Sequence, residues 1–377
     1  MIATLLFAVF IVTMLMGVPI GAALGLAGAA AIALANADTA WFGLLAVPQN
    51  FYAGLGKYPL LAIPMFVLVG SIFDRSGVAS RLVNFAIALV GRGPGMLPLV
   101  AICVAMFLGG ISGSGPANAA AVGAVMIAAM NRAGYPAAYS ASVVGAAAAT
   151  DILIPPSVAF IVYSVLVPGA SVPALFAAGM IPGVLAGIAL IVPAVWLARK
   201  HGMGAEESKL PRPPLLKSFV EAIWGLAAPV LILGGMRMGW FTPTEAAVVA
   251  VFYGLFVGMF VHRTMGVRDL FPILKESGEL SAVILLVVSL AGIFAFSLST
   301  LGVIDPITTA IVHSGLGEYG VLALLILMLI TVGMFLDGVS IFLIFVPLLW
   351  PIVQHYHWDP VWFGVLLTLK AALGQFT

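Results

Sequence analysis

Two carboxylates stand inside long apolar runs, where a charge has few uses. Asp151 lies in AAAATDILIPPS at 146–157, and Asp337 lies in GMFLDGVS at 333–340. An ionisable group within a membrane segment is a functional residue by default. Asp151 has three open roles: a direct cation ligand, a protonated carboxyl, or a cap over Leu153 and Ile154. If a cation neutralises it, the cation's affinity rises with pH as proton competition falls. Asp337 either works on a ligand or caps the half-helix that follows it. A third stretch, GGISGSGPANAA at 109–120, is too rich in Gly, Ser and Pro for plain helix. Its Ser112 and Ser114 are ion ligands or small packing residues. Asn118 touches substrate or caps a half-helix. Free carbonyl and hydroxyl oxygens suit a hard cation, and half-helix N-termini attract a carboxylate. Other chemistry is absent from the pattern. There is one cysteine, Cys103, no Walker A sequence, and no cluster of acid, base and nucleophile. His355 and His357 stand near an exposed loop and do not suggest a metal site.

The elements that must hold these residues are membrane helices. The chain has 377 residues, 63% hydrophobic and 8% charged, with a net charge of +1 and a mean hydropathy of +1.21. Soluble proteins carry about 25% charged residues, so this chain cannot cover a soluble surface. The near-zero net charge leaves no nucleic-acid footprint. The uncharged start, residues 1–36, lacks the basic region of a signal peptide and reads as a retained membrane helix.

Charge placement sets the topology. Lys and Arg dominate 199–217 and 262–276, which predicts cytoplasmic loops. The apolar segments 219–239 and 242–261 between them return the chain to the same side. Arg92 and Arg132 are cytoplasmic by the same rule, and the 37 residues of 94–130 between them carry no charge. A span needs about 20 residues, so 94–130 predicts a helical hairpin with its base in the cytoplasm. The run 319–353, flanked by Glu318 and Asp359, predicts a second hairpin entering from outside. The run 280–314 breaks near 299–302. An offset of 225 carries Gly77 to Gly302 and Ser112 to Asp337, an internal inverted repeat of the kind that builds secondary transporters. The amphipathic stretches 38–57 and 263–278 predict helices lying at the interface. Trp41, Trp196, Trp240 and Trp350 read as interfacial belt residues. Thr242 and Glu245 in TPTEAA predict a capping box, and Arg75 and Arg81 predict interface or partner contacts.

These motifs resemble one family. FLGGISGSGPANAAAVG at 107–123, RAGYPAAYSASVVGAAAATDILIPPSVAFIVYSVLVPGAS at 132–171, GWFTPTEAAVVAVFYGL at 239–255 and GMFLDGVSIFLIFVPLLWPIV at 333–353 are similar to the large membrane (M) subunit of tripartite ATP-independent periplasmic (TRAP) transporters. Their order and spacing fit along the whole chain. The resemblance implies an all-α elevator-type importer with two re-entrant hairpins and two broken helices. It implies sodium as coupling ion and no other cofactor. It implies a small four-helix membrane (Q) subunit, a periplasmic substrate-binding (P) protein, and an organic-acid substrate such as a dicarboxylate or a sialic acid. The setting would be the bacterial inner membrane. By motif, the first sodium site takes Gly109, Ser112, Asp151, Ile154 and Pro155. The second takes Gly333, Gly374 and Thr377, and substrate contacts fall to Ser114, Asn118, Pro156, Ser157 and Asp337. Two features depart from the pattern. The family form GPIIPPS places Gly where this chain has Asp151. The family also continues past GQFT with a Pro-Pro pair and a further helix.

The expected organisation has four parts. Residues 1–93 form scaffold helices with an arm and the lead-in to the first hairpin. Residues 94–171 form the first hairpin and broken helix. Residues 172–280 form connecting scaffold helices, the loop 199–217 and a second arm. Residues 281–377 form the second hairpin, 319–353, and an incomplete second broken helix. Re-entrant loops with free carbonyls also serve ion channels, but channels repeat by oligomer symmetry rather than by inverted halves. A carrier working without a binding protein is the other alternative.

Overall fold

The computed structural model describes residues 2–35, 41–90, 93–113, 115–209, 212–336 and 338–375. Every regular element among them is helical. In chain order these are α1 (Ile2–Leu15), α2 (Ile20–Ala35), α3 (Ala46–Leu55), α4 (Ala62–Arg75), α5 (Val78–Val90), α6 (Met96–Ser112), α7 (Gly115–Arg132), α8 (Ala137–Ala148) and α9 (Val158–Leu166). They continue with α10 (Val172–Lys200), α11 (Leu215–Arg237), α12 (Pro243–Phe256), α13 (Val267–Thr300), α14 (Ile304–Val312), α15 (Gly317–Gly333), α16 (Gly338–His355) and α17 (Pro360–Gln375). Among the described residues, six helical stretches are long and apolar enough to cross a bilayer. Backbone groups in lipid must bond within their own segment, which is why the chain is helical wherever it is apolar.

The internal repeat is visible in the element starts. Helices α6 and α15 begin at 96 and 317, α7 and α16 at 115 and 338, and α8 and α17 at 137 and 360. The predicted hairpins 94–130 and 319–353 are thus α6–α7 and α15–α16. The break expected near 299–302 falls between α13 and α14. The second interfacial stretch, 263–278, is not a separate helix. From Val267 it runs without interruption into α13, a helix of 34 residues with Pro272 in its opening turns. Pro272 is the sixth residue of α13, past the four unpartnered N–H groups of the first turn, so it forgoes one bond to the Arg268 carbonyl without ending the helix.

Helix α10 is the ruler of the fold. Its 29 residues rise about 43 Å at 1.5 Å each. Near its start, Leu175 packs against Gly364 of α17, and Tyr163 of α9 donates a 2.8 Å bond to the Pro360 carbonyl. Fourteen residues before the C-cap at His201, Met106 of α6 fills the space beside Gly187, and near the end Val195 touches Gly95 at the foot of α6. The base of α15–α16, at the start of α17, and the base of α6–α7 therefore lie at opposite ends of α10. The sequence groups α10 with the connecting helices; in space it packs on α6, α9 and α17.

The loop after α10 clamps both feet of α6–α7. Glu207, 3% exposed, accepts a 2.9 Å bond from Leu97 N and a 2.5 Å bond from the Tyr135 hydroxyl. Tyr135 in turn accepts from Gly95 N at 2.7 Å, and Glu206 N donates to the Ala133 carbonyl at 3.1 Å. A carboxylate in the first turn of α6 also complements the helix dipole. Burial nevertheless pushes the Glu207 carboxyl above the usual carboxylate range, and the Tyr135 phenol is pushed up for the same reason. A raised acid in the folded state binds its proton more tightly than the unfolded chain does. Its contribution to stability is thus greatest at low pH and declines as pH rises through the raised value. Thermal melts between pH 5 and 8 should show a decline that Glu207→Gln flattens. An unchanged slope in the variant would assign the pH dependence elsewhere.

Candidate functional site

The first hairpin ends where the first broken helix breaks. Helix α6 stops at Ser112 because Gly113 adopts φ +61°, a conformation that a side chain disfavours. On the other side, α8 gives way to a short 3-10 turn over Ala149–Ile152. Pro155 and Pro156 then follow, which supply no N–H to a helix. Helix α9 restarts at Val158, with Ser157 Oγ accepting from Phe160 N at 3.5 Å. Tip and break meet without space for side chains. A Cβ on Gly109 would stand 2.6 Å from Asp151 Oδ1 and 2.7 Å from Asp151 Cα. One on Gly110 would stand 3.4 Å from the Pro155 carbonyl oxygen and 3.5 Å from Ile154 Cγ2, and one on Gly113 would strike the Pro156 carbonyl. Gly109, Asp151, Ile154, Pro155 and Pro156 thus share one small volume.

Asp151 is fully buried. Among the described residues neither of its carboxylate oxygens has a hydrogen-bond partner of good geometry. The Asn118 side chain, from the first turn of α7 and itself 1% exposed, is its polar neighbour. If ionised, a buried group without such bonds requires a compensating charge, and the residues present leave a place for a cation between tip and break; if protonated, the carboxyl requires none. Ser157 is occupied with capping α9, the use its position dictates.

The second pair repeats the first at matched positions. A Cβ on Gly333, at the end of α15, would stand 2.9 Å from Gly374 Cα. Asp151 and Gly374 hold equivalent places, 14 residues after the starts of α8 and α17. Gln375 adds an amide at this second contact. Its Nε2 lies 3.6 Å from a Cβ built on Gly338, and its Oε1 is buried without a hydrogen-bond partner among the described residues. The sequence reading passed over Gln375, although an amide in an apolar helix beside a candidate glycine is itself a signal. Ser114, Asp337 and Thr377 lie outside the described residues, as does the side chain of Ser112.

The remaining candidates have structural employment. Thr242 and Glu245 form the expected capping box. Arg75 pairs with Glu276 at 2.9 Å, and Arg81 donates to the Gly77 carbonyl at 3.0 Å. No group of three or more His, Cys, Asp or Glu that could hold a metal occurs among the described residues.

Residues 7–377 match the family described as tripartite ATP-independent periplasmic transporter, DctM component. The chain is 37% identical over 357 residues to the C4-dicarboxylate TRAP transporter large permease protein DctM of Pseudomonas aeruginosa, covering 94% of this chain and 82% of that one. It is 36% identical over 380 residues to the isethionate TRAP transporter permease protein DctMQ of Oleidesulfovibrio alaskensis, covering 99% of this chain and 58% of the relative. It therefore spans little more than half of that longer protein. Among solved structures, the Alcanivorax borkumensis YdaH transporter shares the fold at a TM-score of 0.59 and 12% identity, covering 90% of this chain and 80% of that chain. Taken with the helical architecture, these matches show that the chain belongs to the DctM family of TRAP transporter large permeases, multi-pass proteins of the inner membrane and not enzymes.

Proposed function

We propose that the chain carries the ion and substrate sites of a sodium-coupled importer for a small organic acid. In this reading the two hairpins are re-entrant, and they move as part of an elevator-type transport domain. The observation that supports it best is the close approach, in each half, of the hairpin's first helix to the far end of the helix after the hairpin. Gly109 lies against the buried Asp151 carboxylate, and Gly333 lies against Gly374 at the matching place in the second half. Irregular backbone of this kind persists in a membrane only inside protein or beside a watery cavity. Substrates named for relatives are C4-dicarboxylate, 2,3-diketo-L-gulonate, sialic acid and isethionate, all organic anions. A carboxylate is the substrate class proposed here. The partners are a small membrane subunit and a periplasmic binding protein; the longer relative named DctMQ supports the first of these.

The test is uptake into proteoliposomes holding the chain with both partners. Uptake should saturate with substrate and require an inward sodium gradient. Large, non-saturating ion flux would favour a channel. Hairpin orientation is checked by cysteine labelling after Cys103→Ser. Arg132→Cys, at the base of α6–α7, should label from the cytoplasm, and Tyr319→Cys, at the base of α15–α16, from the periplasm. Labelling of both from one side would overturn the inverted arrangement.

A further inference from the structure

The basic end of α10 carries a groove that the transport reading leaves unused. It has a volume of about 650 Å³. Its floor is apolar, made by Leu99 of α6 with Ile191 and Val195 of α10, and its rim carries Trp196, Arg199 and Lys200. The Lys200 ammonium stands 4.5 Å from the centre of the Trp196 ring, and Arg199 Nε donates to the Pro94 carbonyl at 3.3 Å. Trp196 is 56% exposed and Val192, one turn earlier, 64% exposed, so the groove opens sideways along the helix. The neighbouring carboxylate, Glu207, is turned inward onto Leu97 N and Tyr135. It does not neutralise the rim.

We propose that this groove holds one anionic glycerophospholipid. Its phosphate sits at Arg199 and Lys200, and one acyl chain runs along Ile191 and Val195. Three features select a lipid over a soluble anion. The charges stand at one end of an apolar trough, a tryptophan marks the level of the headgroups, and basic pockets between membrane helices on the cytoplasmic side favour anionic headgroups. The site joins α10 to the first turn of α6, so a bound lipid bridges the two helices at the base of the first hairpin.

The experiment uses the full chain in vesicles of equal parts phosphatidylglycerol and phosphatidylcholine, with one lipid or the other carrying brominated acyl chains that quench tryptophan. The Trp196 signal is the difference between the native protein and Trp196→Phe. Brominated phosphatidylglycerol should occupy the site with about fivefold preference for each basic residue engaged. The other six tryptophans report bulk lipid and serve as the reference. Lys200→Gln should lower the preference about fivefold, and Arg199→Lys, which keeps the charge, should retain it. Equal quenching of Trp196 by both lipids would overturn the proposal. So would a preference that survives Arg199→Gln combined with Lys200→Gln. A Trp196 quenched by neither lipid would mean that protein covers the groove, and would overturn it as well.

Discussion

Gly374→Ala should abolish uptake. A Cβ at this position would strike Gly333 Cα, and would lie 2.6 Å from the Gly333 carbonyl carbon and 3.0 Å from its oxygen. All three are backbone atoms, so no rotamer change relieves the clash. Overpacking of this kind costs about 1–3 kcal/mol, and here the strain falls on the contact between the end of α15 and the last turn of α17. The expected result is loss of transport with a lowered melting temperature. Gly145→Ala is the control. It lies in α8 with nothing within 4 Å of the added atom, and should leave uptake intact, since Ala favours helix over Gly. Normal transport by Gly374→Ala would mean that the Gly333–Gly374 approach is not part of the working site.

Asp151→Gly should raise the sodium concentration needed for half-maximal uptake about tenfold or more. The substitution restores the glycine that the family pattern places there. It removes the one buried carboxylate at the first tip–break contact and leaves the backbone oxygens in place. Loss of a charged oxygen ligand costs about 1–3 kcal/mol, and transport itself should persist. Asp151→Asn keeps the volume beside Gly109 and should show the same sodium shift, which separates charge from packing. If sodium dependence is unchanged in both variants, Asp151 does not coordinate the ion.

Much of the architecture was legible because membrane helices leave a coarse record. Apolar run length gave both hairpins to within two or three residues at most ends. Gly- and Ser-rich tips marked the turns, and Thr-x-x-Glu marked the start of α12. The continuity of α13 was harder to see. Arg268, Lys275 and Glu276 look interfacial by composition, yet composition does not say whether a helix stops. The clamp of Glu207 on Tyr135 was invisible for another reason. It joins residues 72 apart across a loop without periodicity, and loop acids near basic residues ordinarily read as solvated. In the site, Asp151 announced itself by charge alone. Its neighbour Asn118 offered two roles in the sequence, and only the three-dimensional packing of α7 against the 3-10 turn brings the amide to the carboxylate.

The glycines of α10 have a consequence for how the protein tolerates change. Gly179, Gly183 and Gly187 recur every fourth residue and form one stripe facing the first broken helix and α6. A side chain at 179 would press on the Leu153 carbonyl, at 2.7 Å, as well as on the Phe160 ring. At 183 it would press on Ile154 Cγ1 at 2.7 Å, and at 187 on the flexible end of Met106. Severity should therefore fall along the stripe, because backbone cannot yield, a branched chain yields a little, and a thioether yields readily. The opposite face, with Ile181, Leu185, Ile188 and Val192 all half or more exposed, should accept almost any apolar exchange. A helix of nearly uniform hydropathy thus carries a strongly directional mutational landscape, graded by what each missing side chain would have touched.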